Sequence, residues 1–266
     1  MLHNQTSLNT RALFSLPAGQ KALIPYFTAG DPSLSDLPSI IRMLEDSGAD
    51  AIEFGLPFSD PIADGPVIQA STQRALDRGV TTLQVLETLQ SANATVPLVL
   101  MGYYNPILRI GVTRFAGLAK TAGVAATIVS DLTPEEADPW IAASVSQGLK
   151  NIFLAAPTST DLRLDKVCEM STGFVYAVSR TGVTGNSIEA PPEVRSLVTR
   201  LKSRTDLPVC VGFGISKPEH VRMVCEVADG AVVGSFLVNL LAEKWNSPGG
   251  PAEIARIVRE LKDATR

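Results

Sequence analysis

The chain has 266 residues, 45% hydrophobic and 19% charged, with a net charge of −4 and a pI of about 5.3, the composition of a globular protein with a large core. It carries no basic excess of the kind that follows nucleic acid. The longest uncharged stretch, residues 88–108, is broken by Gln90, Asn93, Pro97, Asn105 and Pro106, and the opening MLHNQTSLNTRALF has no apolar signal core, so no membrane span and a cytoplasmic address are expected.

After an N-terminal extension or helix over residues 1–20, short β-branched runs alternate with longer helical patterns. The runs predict eight strands at 22–27, 50–54, 97–102, 125–129, 151–155, 173–178, 208–212 and 230–233. Between them apolar residues recur at helical spacing, as in Leu37, Ile40, Ile41 and Leu44, or Val194, Leu197, Val198 and Leu201. A last helix carries Ile254, Ile257, Val258 and Leu261. Turns reading SGAD, AGVA and QGLK mark helix stops just ahead of three of the strands.

Eight such units favour an α/β fold in which one domain, residues 1–266, closes as a (β/α)8 barrel; no GxGxxG follows the first strand. An open doubly wound sheet is the alternative. In a barrel the strand C-terminal ends share one face, and there the sequence delivers Tyr26, Phe27, Thr28, Glu53, Met101, Tyr103, Asp131, Tyr176, Phe213, Gly214, Gly234 and Ser235. Such an aromatic-rich mouth with few charges suits a flat apolar ligand.

The segment EFGLPFSDPIADG, residues 53–65, sets Glu53, Asp60 and Asp64 among prolines and glycines at a strand exit. An ionised carboxylate is costly to hide, so Glu53 inside a buried strand points to proton chemistry, whereas Asp60 reads equally well as a solvated loop acid. Glycine-rich loops follow the sixth, seventh and eighth predicted strands (SRTGVTG, GFGIS, GSFLV), and helices opening at Pro218 and Ser235 would aim N–H groups at an anion. Glycines after the last two strands favour a phosphate site over simple turns. The three cysteines, Cys168, Cys210 and Cys225, have no metal or disulfide spacing, and His3 and His220 are the only histidines, so no metal and no cofactor are expected and acid/base work falls to carboxylates.

The stretches PYFTAGDPS, GADAIEFGLPFSDPIADGPVIQ, MGYYNPI, VSRTGVTG and GFGIS, spread over nearly the whole chain, resemble the α subunit of tryptophan synthase. That resemblance implies a (β/α)8 barrel cleaving indole-3-glycerol phosphate to indole and glyceraldehyde 3-phosphate, paired with a β subunit in an α2β2 heterotetramer. It implies Glu53 as the principal acid/base and Asp64 as the group that binds the indole N–H. Gly185, Gly214, Gly234 and Ser235 would hold the phosphate, and Tyr26, Met101, Ile128, Tyr176 and Phe213 would line the indole pocket. By the same resemblance Arg180 and Thr184 would match the family's mobile loop, and Asp60 would face a partner cation. Two departures touch the edge of the site: Leu-Thr-Pro follows Asp131, and Tyr26 stands where some relatives have Phe.

In a retro-aldol cleavage, indole C3 must gain a proton, the ring nitrogen must lose one and the side-chain hydroxyl must become a carbonyl. Two carboxylates of unequal pKa suffice; no lysine in the strand-end motifs offers a Schiff base. A stand-alone indole-releasing lyase and a non-catalytic phosphate-sensing barrel remain as alternatives, the latter disfavoured by the intact acid pair.

Overall fold

Ala22–Thr28 is buried along its whole length, as a strand covered on both faces must be. The computed structural model describes residues 12–17, 19–178, 190–212 and 214–266. Nine parallel strands are found among them: β1 Ala22–Thr28, β2 Ile52–Gly55, β3 Leu98–Gly102, β4 Val124–Val129, β5 Lys150–Asn151, β6 Leu154–Ala155, β7 Val175–Val178, β8 Val209–Gly212 and β9 Gly230–Val233. Their order is β5-β4-β3-β2-β1-β9-β8-β7-β6.

The two ends of that order are consecutive pieces of one segment. The sequence predicts a single fifth strand over 151–155; instead β5 pairs with β4 and β6 pairs with β7, and the hydrogen bonding changes sides between them. Ile152 N–H donates to Thr127 O at 2.9 Å, and Tyr176 N–H donates to Phe153 O at 3.2 Å. The sheet therefore closes through this split stave into an eight-stave (β/α)8 barrel, the expected fold class, and the open doubly wound sheet is excluded.

Strand alternation sorts the side chains into two layers. Leu23, Phe27, Ile52, Phe54, Leu98 and Leu100 point outward into a core shared with the helices. Two of the helical quartets read from the sequence supply the other side: Leu37, Ile40, Ile41 and Leu44 on the helix Leu37–Asp46, and Val194, Leu197, Val198 and Leu201 on Pro192–Lys202, are all buried. Each such side chain contributes about 1.5–3 kcal/mol by leaving water. Ala22, Ile24, Tyr26, Ala51, Val99, Ala126, Ile128, Phe174 and Val232 form the inner cluster that fills the barrel.

The lower mouth is built for stability. Asp50, expected as the first residue of the second strand, precedes β2; its Oδ2 instead accepts the Leu23 N–H at 2.7 Å and the Lys262 ammonium at 2.7 Å. Asp229 does the same ahead of β9, taking the Val209 N–H and the ammonium groups of Lys21 and Lys202. In the described part of the N-terminal extension, Leu13 N–H donates to Gly173 O and the Phe14 ring packs on Phe174.

Candidate active site

Glu53 sits in the middle of β2, Cα-paired with Tyr26 on β1 and Val99 on β3, and faces the barrel interior with Ala51. It is 1% exposed, and its Oε2 has no hydrogen-bond partner. Burial pushes its carboxyl up to about 8, and the negative charge of Asp64 adds to that shift.

Asp64 belongs to the loop that leaves β2. The loop is held in shape by its own backbone, Asp64 N–H to Pro61 O at 3.1 Å, and by Gln69, whose amide donates to Asp64 O at 2.8 Å. Burial raises the Asp64 carboxyl to about 6, while hydrogen bonding toward the Tyr103 phenol opposes the rise. Near pH 7, then, Glu53 carries its proton and Asp64 does not.

Tyr103, which the sequence placed on this face without a role, ties the loop to β3. Its hydroxyl accepts the Ala63 N–H at 3.1 Å, and its ring stacks on Phe58 with centroids 5.2 Å apart. A second tie also went unread. Asp31, buried in the turn after β1, accepts hydrogen bonds from Ser71, Arg74 and Arg78 of the helix that starts at Pro66. The spacing 71, 74, 78 puts those three donors on one helical face, a signal available in the sequence.

Two phenols roof the mouth. A side chain at Gly55 would put its Cβ 2.2 Å from the Tyr26 hydroxyl, and one at Gly212 would put it 2.4 Å from that of Tyr176. Glycine at both strand ends is thus what lets the phenols lie flat. Burial and the nearby acids raise both hydroxyls above the ordinary tyrosine range, Asp64 being the main charge on Tyr26 and Glu53 on Tyr176. Met101 and Ile128, Cα partners on β3 and β4, complete the apolar wall. Neither of two cavities, one at the lower mouth bordered by Phe14 and Lys21 and one at the rim by Leu154, Thr158 and Val178, contains the acid pair.

Gly234 and Ser235 open the helix Ser235–Lys244 directly after β9. The first intrahelical bond is Val238 N–H to Gly234 O at 3.1 Å, and no side chain caps the turn, so the preceding N–H groups have no partner from the helix itself. Gly214 lies near the neighbouring helix Pro218–Cys225 with φ +41°, a backbone angle suited to glycine. Asp60 is exposed, with its Oδ2 accepting the Ser59 hydroxyl at 2.6 Å. Gly185, Phe213, Arg180 and Thr184 lie outside the described residues.

Among the described residues, three buried side-chain polar atoms have no hydrogen bond of normal geometry: Glu53 Oε2, Ser130 Oγ and Thr28 Oγ1, the last acting on the Tyr26 phenol beside it. Each such atom costs about 1–3 kcal/mol. All three stand at inward positions of the upper mouth, since Thr28 and Ser130 follow Tyr26 and Ile128 by two residues.

A closed parallel barrel with two raised carboxyls, Glu53 and Asp64, at its upper mouth defines an α/β-barrel protein. Family comparison narrows this: the model described as Tryptophan synthase alpha chain matches residues 15–266, and the chain belongs to that family, lyases of tryptophan biosynthesis. A tryptophan synthase alpha chain of Solibacter usitatus (strain Ellin6076) is 46% identical over 245 residues, covering 91% of this chain and 92% of the relative. One from Geobacter sulfurreducens is 45% identical over 247 residues, 92% and 93% of the two chains. Among solved structures, the tryptophan synthase subunit alpha of Legionella pneumophila str. Paris superimposes with a TM-score of 0.84 at 36% identity, covering 92% of each chain. Tryptophan synthase from M. tuberculosis gives 0.83 at 37% identity over 93% of each. No helix among the described residues is long and apolar enough to cross a membrane.

Proposed function

We propose that the chain, acting as one catalytic domain with a 20-residue N-terminal extension, cleaves indole-3-glycerol phosphate by a retro-aldol reaction to indole and glyceraldehyde 3-phosphate. The observation that carries this is the opposed state of the two acids, Glu53 with its proton retained to about 8 and Asp64 ionised above about 6. Glu53 delivers its proton to indole C3, and the positive charge that develops on the ring is shared by the N1–H, held against the Asp64 carboxylate; N1 keeps the proton that the bare reaction scheme has it lose, since free indole carries an N–H. The Glu53 carboxylate then takes the proton of the chain hydroxyl as the C3–chain bond breaks. The bond's electrons return to the ring, the hydroxyl carbon becomes the aldehyde, and Glu53 is protonated again.

Tyr26, Met101, Ile128 and Tyr176, with Phe213, wall the indole, and Gly214, Gly234 and Ser235, with Gly185, hold the phosphate. The reaction uses no cofactor and no metal. Ile62, 79% exposed, and Leu108, 51% exposed, stand on or near the loops of the catalytic face, apolar side chains suited to a partner surface. The partner in this reading is the tryptophan synthase β subunit, in an α2β2 assembly in the cytoplasm, with Arg180, Thr184 and Asp60 on the loops that meet it. Indole release from indole-3-glycerol phosphate by the purified chain, with and without a β subunit, tests the proposal. Absence of indole under both conditions overturns it; full activity alone with no response to the β subunit favours the stand-alone lyase.

A further inference from the structure

The Thr28 hydroxyl occupies a specific place between the two ends of the site. In the sheet, β1 lies between β2, which carries Glu53, and β9, which leads into Gly234 and Ser235 of the proposed phosphate site. The ends of these staves are in contact: Tyr26 is the Cα partner of Glu53, and a Cβ at Gly234 would meet the Tyr26 ring at 3.6 Å. A substrate with its phosphate over β9 and its reacting ring carbon at Glu53 must carry the chain that joins them across the end of β1.

Thr28 is the last residue of β1, level with Gly55, and the Tyr26 phenol reaching over Gly55 shares that corner of the mouth. Thr28 is 1% exposed, faces inward, and has an oxygen with no hydrogen bond of normal geometry within the protein, the Tyr26 phenol being the neighbour that feels it. Valine, of the same shape, would remove that poorly bonded oxygen, so the hydroxyl is retained at a cost to the folded chain. An alcohol both donates and accepts, and so does a hydroxyl of a polyol chain.

We infer that the Thr28 hydroxyl is a further substrate contact, hydrogen-bonded to a hydroxyl of the glycerol chain and fixing the orientation in which Glu53 meets it. The inference rests on the retro-aldol reading of this site and goes beyond the two acids, the indole wall and the phosphate cradle. Threonine is not acidic enough to move the proton itself. It orients the alcohol so that Glu53 receives it.

The test compares wild type, Thr28→Val and Thr28→Ser in the full chain, using indole-3-glycerol phosphate and an analogue with a plain propyl chain between indole and phosphate. Thr28→Val is expected to lower kcat/KM for the substrate about tenfold, the loss of one hydrogen bond. Its Kd for the hydroxyl-free analogue stays within about twofold of wild type, because that ligand offers Thr28 nothing to bind. Its Tm is expected to hold or rise, and Thr28→Ser to recover most of the activity. Equal losses on both ligands, or an unchanged kcat/KM with a lowered Tm, would assign Thr28 to packing and overturn the inference. If wild type releases no indole while binding the analogue, the reaction reading itself fails along with it; an active wild type matched by an equally active Thr28→Val overturns the Thr28 contact alone.

Discussion

The Asp31 carboxylate and the Arg74 guanidinium meet two on two, with Nη2 to Oδ2 at 2.6 Å and Nε to Oδ1 at 3.1 Å. This pair, with Ser71 donating at 2.7 Å, locks the helix Pro66–Asp77 to the turn after β1, and the helix begins two residues beyond Asp64. Arg74→Met should therefore do two things. Loss of a charged hydrogen-bonded partner to a buried carboxylate destabilises by about 1.5–3 kcal/mol in urea unfolding. The released helix also lets Asp64 drift, lowering kcat/KM about 10- to 100-fold. A stability loss with unchanged kinetics would limit the pair to holding the fold.

Glu53→Gln keeps the shape of the acid and removes its proton, so activity should fall by about 10²–10⁴-fold. Stability moves the other way. Glu53 holds its proton to about 8 when folded but only to 4.5 in its ordinary state, so across that window the folded chain binds more protons and its stability declines as pH rises. Glu53→Gln lacks this decline. Thermal melts of both proteins from pH 4.5 to 8.5 should diverge with increasing pH in favour of the variant and run parallel above about 8; a constant difference would remove Glu53 from the linkage.

The pH profile of kcat/KM should be a bell with limbs near 6 and 8, from Asp64 and Glu53. Because the Tyr103 phenol lowers Asp64, Tyr103→Phe should shift the acid limb upward and leave the alkaline limb in place. An unmoved acid limb would mean that Tyr103 serves only to anchor Ala63.

Gly234→Ala adds a methyl that meets the Tyr26 ring only at ordinary contact distance, 3.6 Å, so the fold should tolerate it. The methyl crowds the start of the proposed phosphate site, and KM should rise about tenfold with kcat less affected. Inorganic phosphate should protect wild type against thermal unfolding more than the variant. Equal protection would place the phosphate elsewhere.

Asp60 is exposed; its carboxylate accepts the Ser59 hydroxyl and its backbone carbonyl the Ile62 N–H. Asp60→Ala should leave the isolated chain's activity within about twofold of wild type and weaken activation by a β subunit several-fold, as loss of an interface charge does. A β-subunit titration showing equal activation of both proteins would clear Asp60 of any interface role.

Periodicity made the barrel legible, because burial on both strand faces and on one helix stripe is written locally, as in Ala22–Thr28 and in Leu37, Ile40, Ile41 and Leu44. The break between β5 and β6 was not legible. Residues 151–155 look like one strand, and only their distant neighbours, Thr127 on one side and Tyr176 on the other, divide them. Glu53 stood out in the sequence because a charge in an apolar run is locally anomalous. Asp31 did not, because an Asp before Pro reads as a turn; Thr28 falls on the catalytic face, one residue past the predicted first strand, but without a role, and the meaning of both comes from what faces them across the fold.

The split stave also determines how this molecule can come apart. Since the two margins of the sheet meet within residues 150–155, every stave is flanked on both sides and the closed sheet offers no raw margin to a passing chain. A backbone cut between Ile152 and Phe153 would be unlike a nick in any connecting loop. It would leave β5 and β6 as the free ends of one sheet still joined through β1 and β9, turning a closed barrel into a curled sheet with two unpaired margins of buried-type residues, prone to pair again or to aggregate.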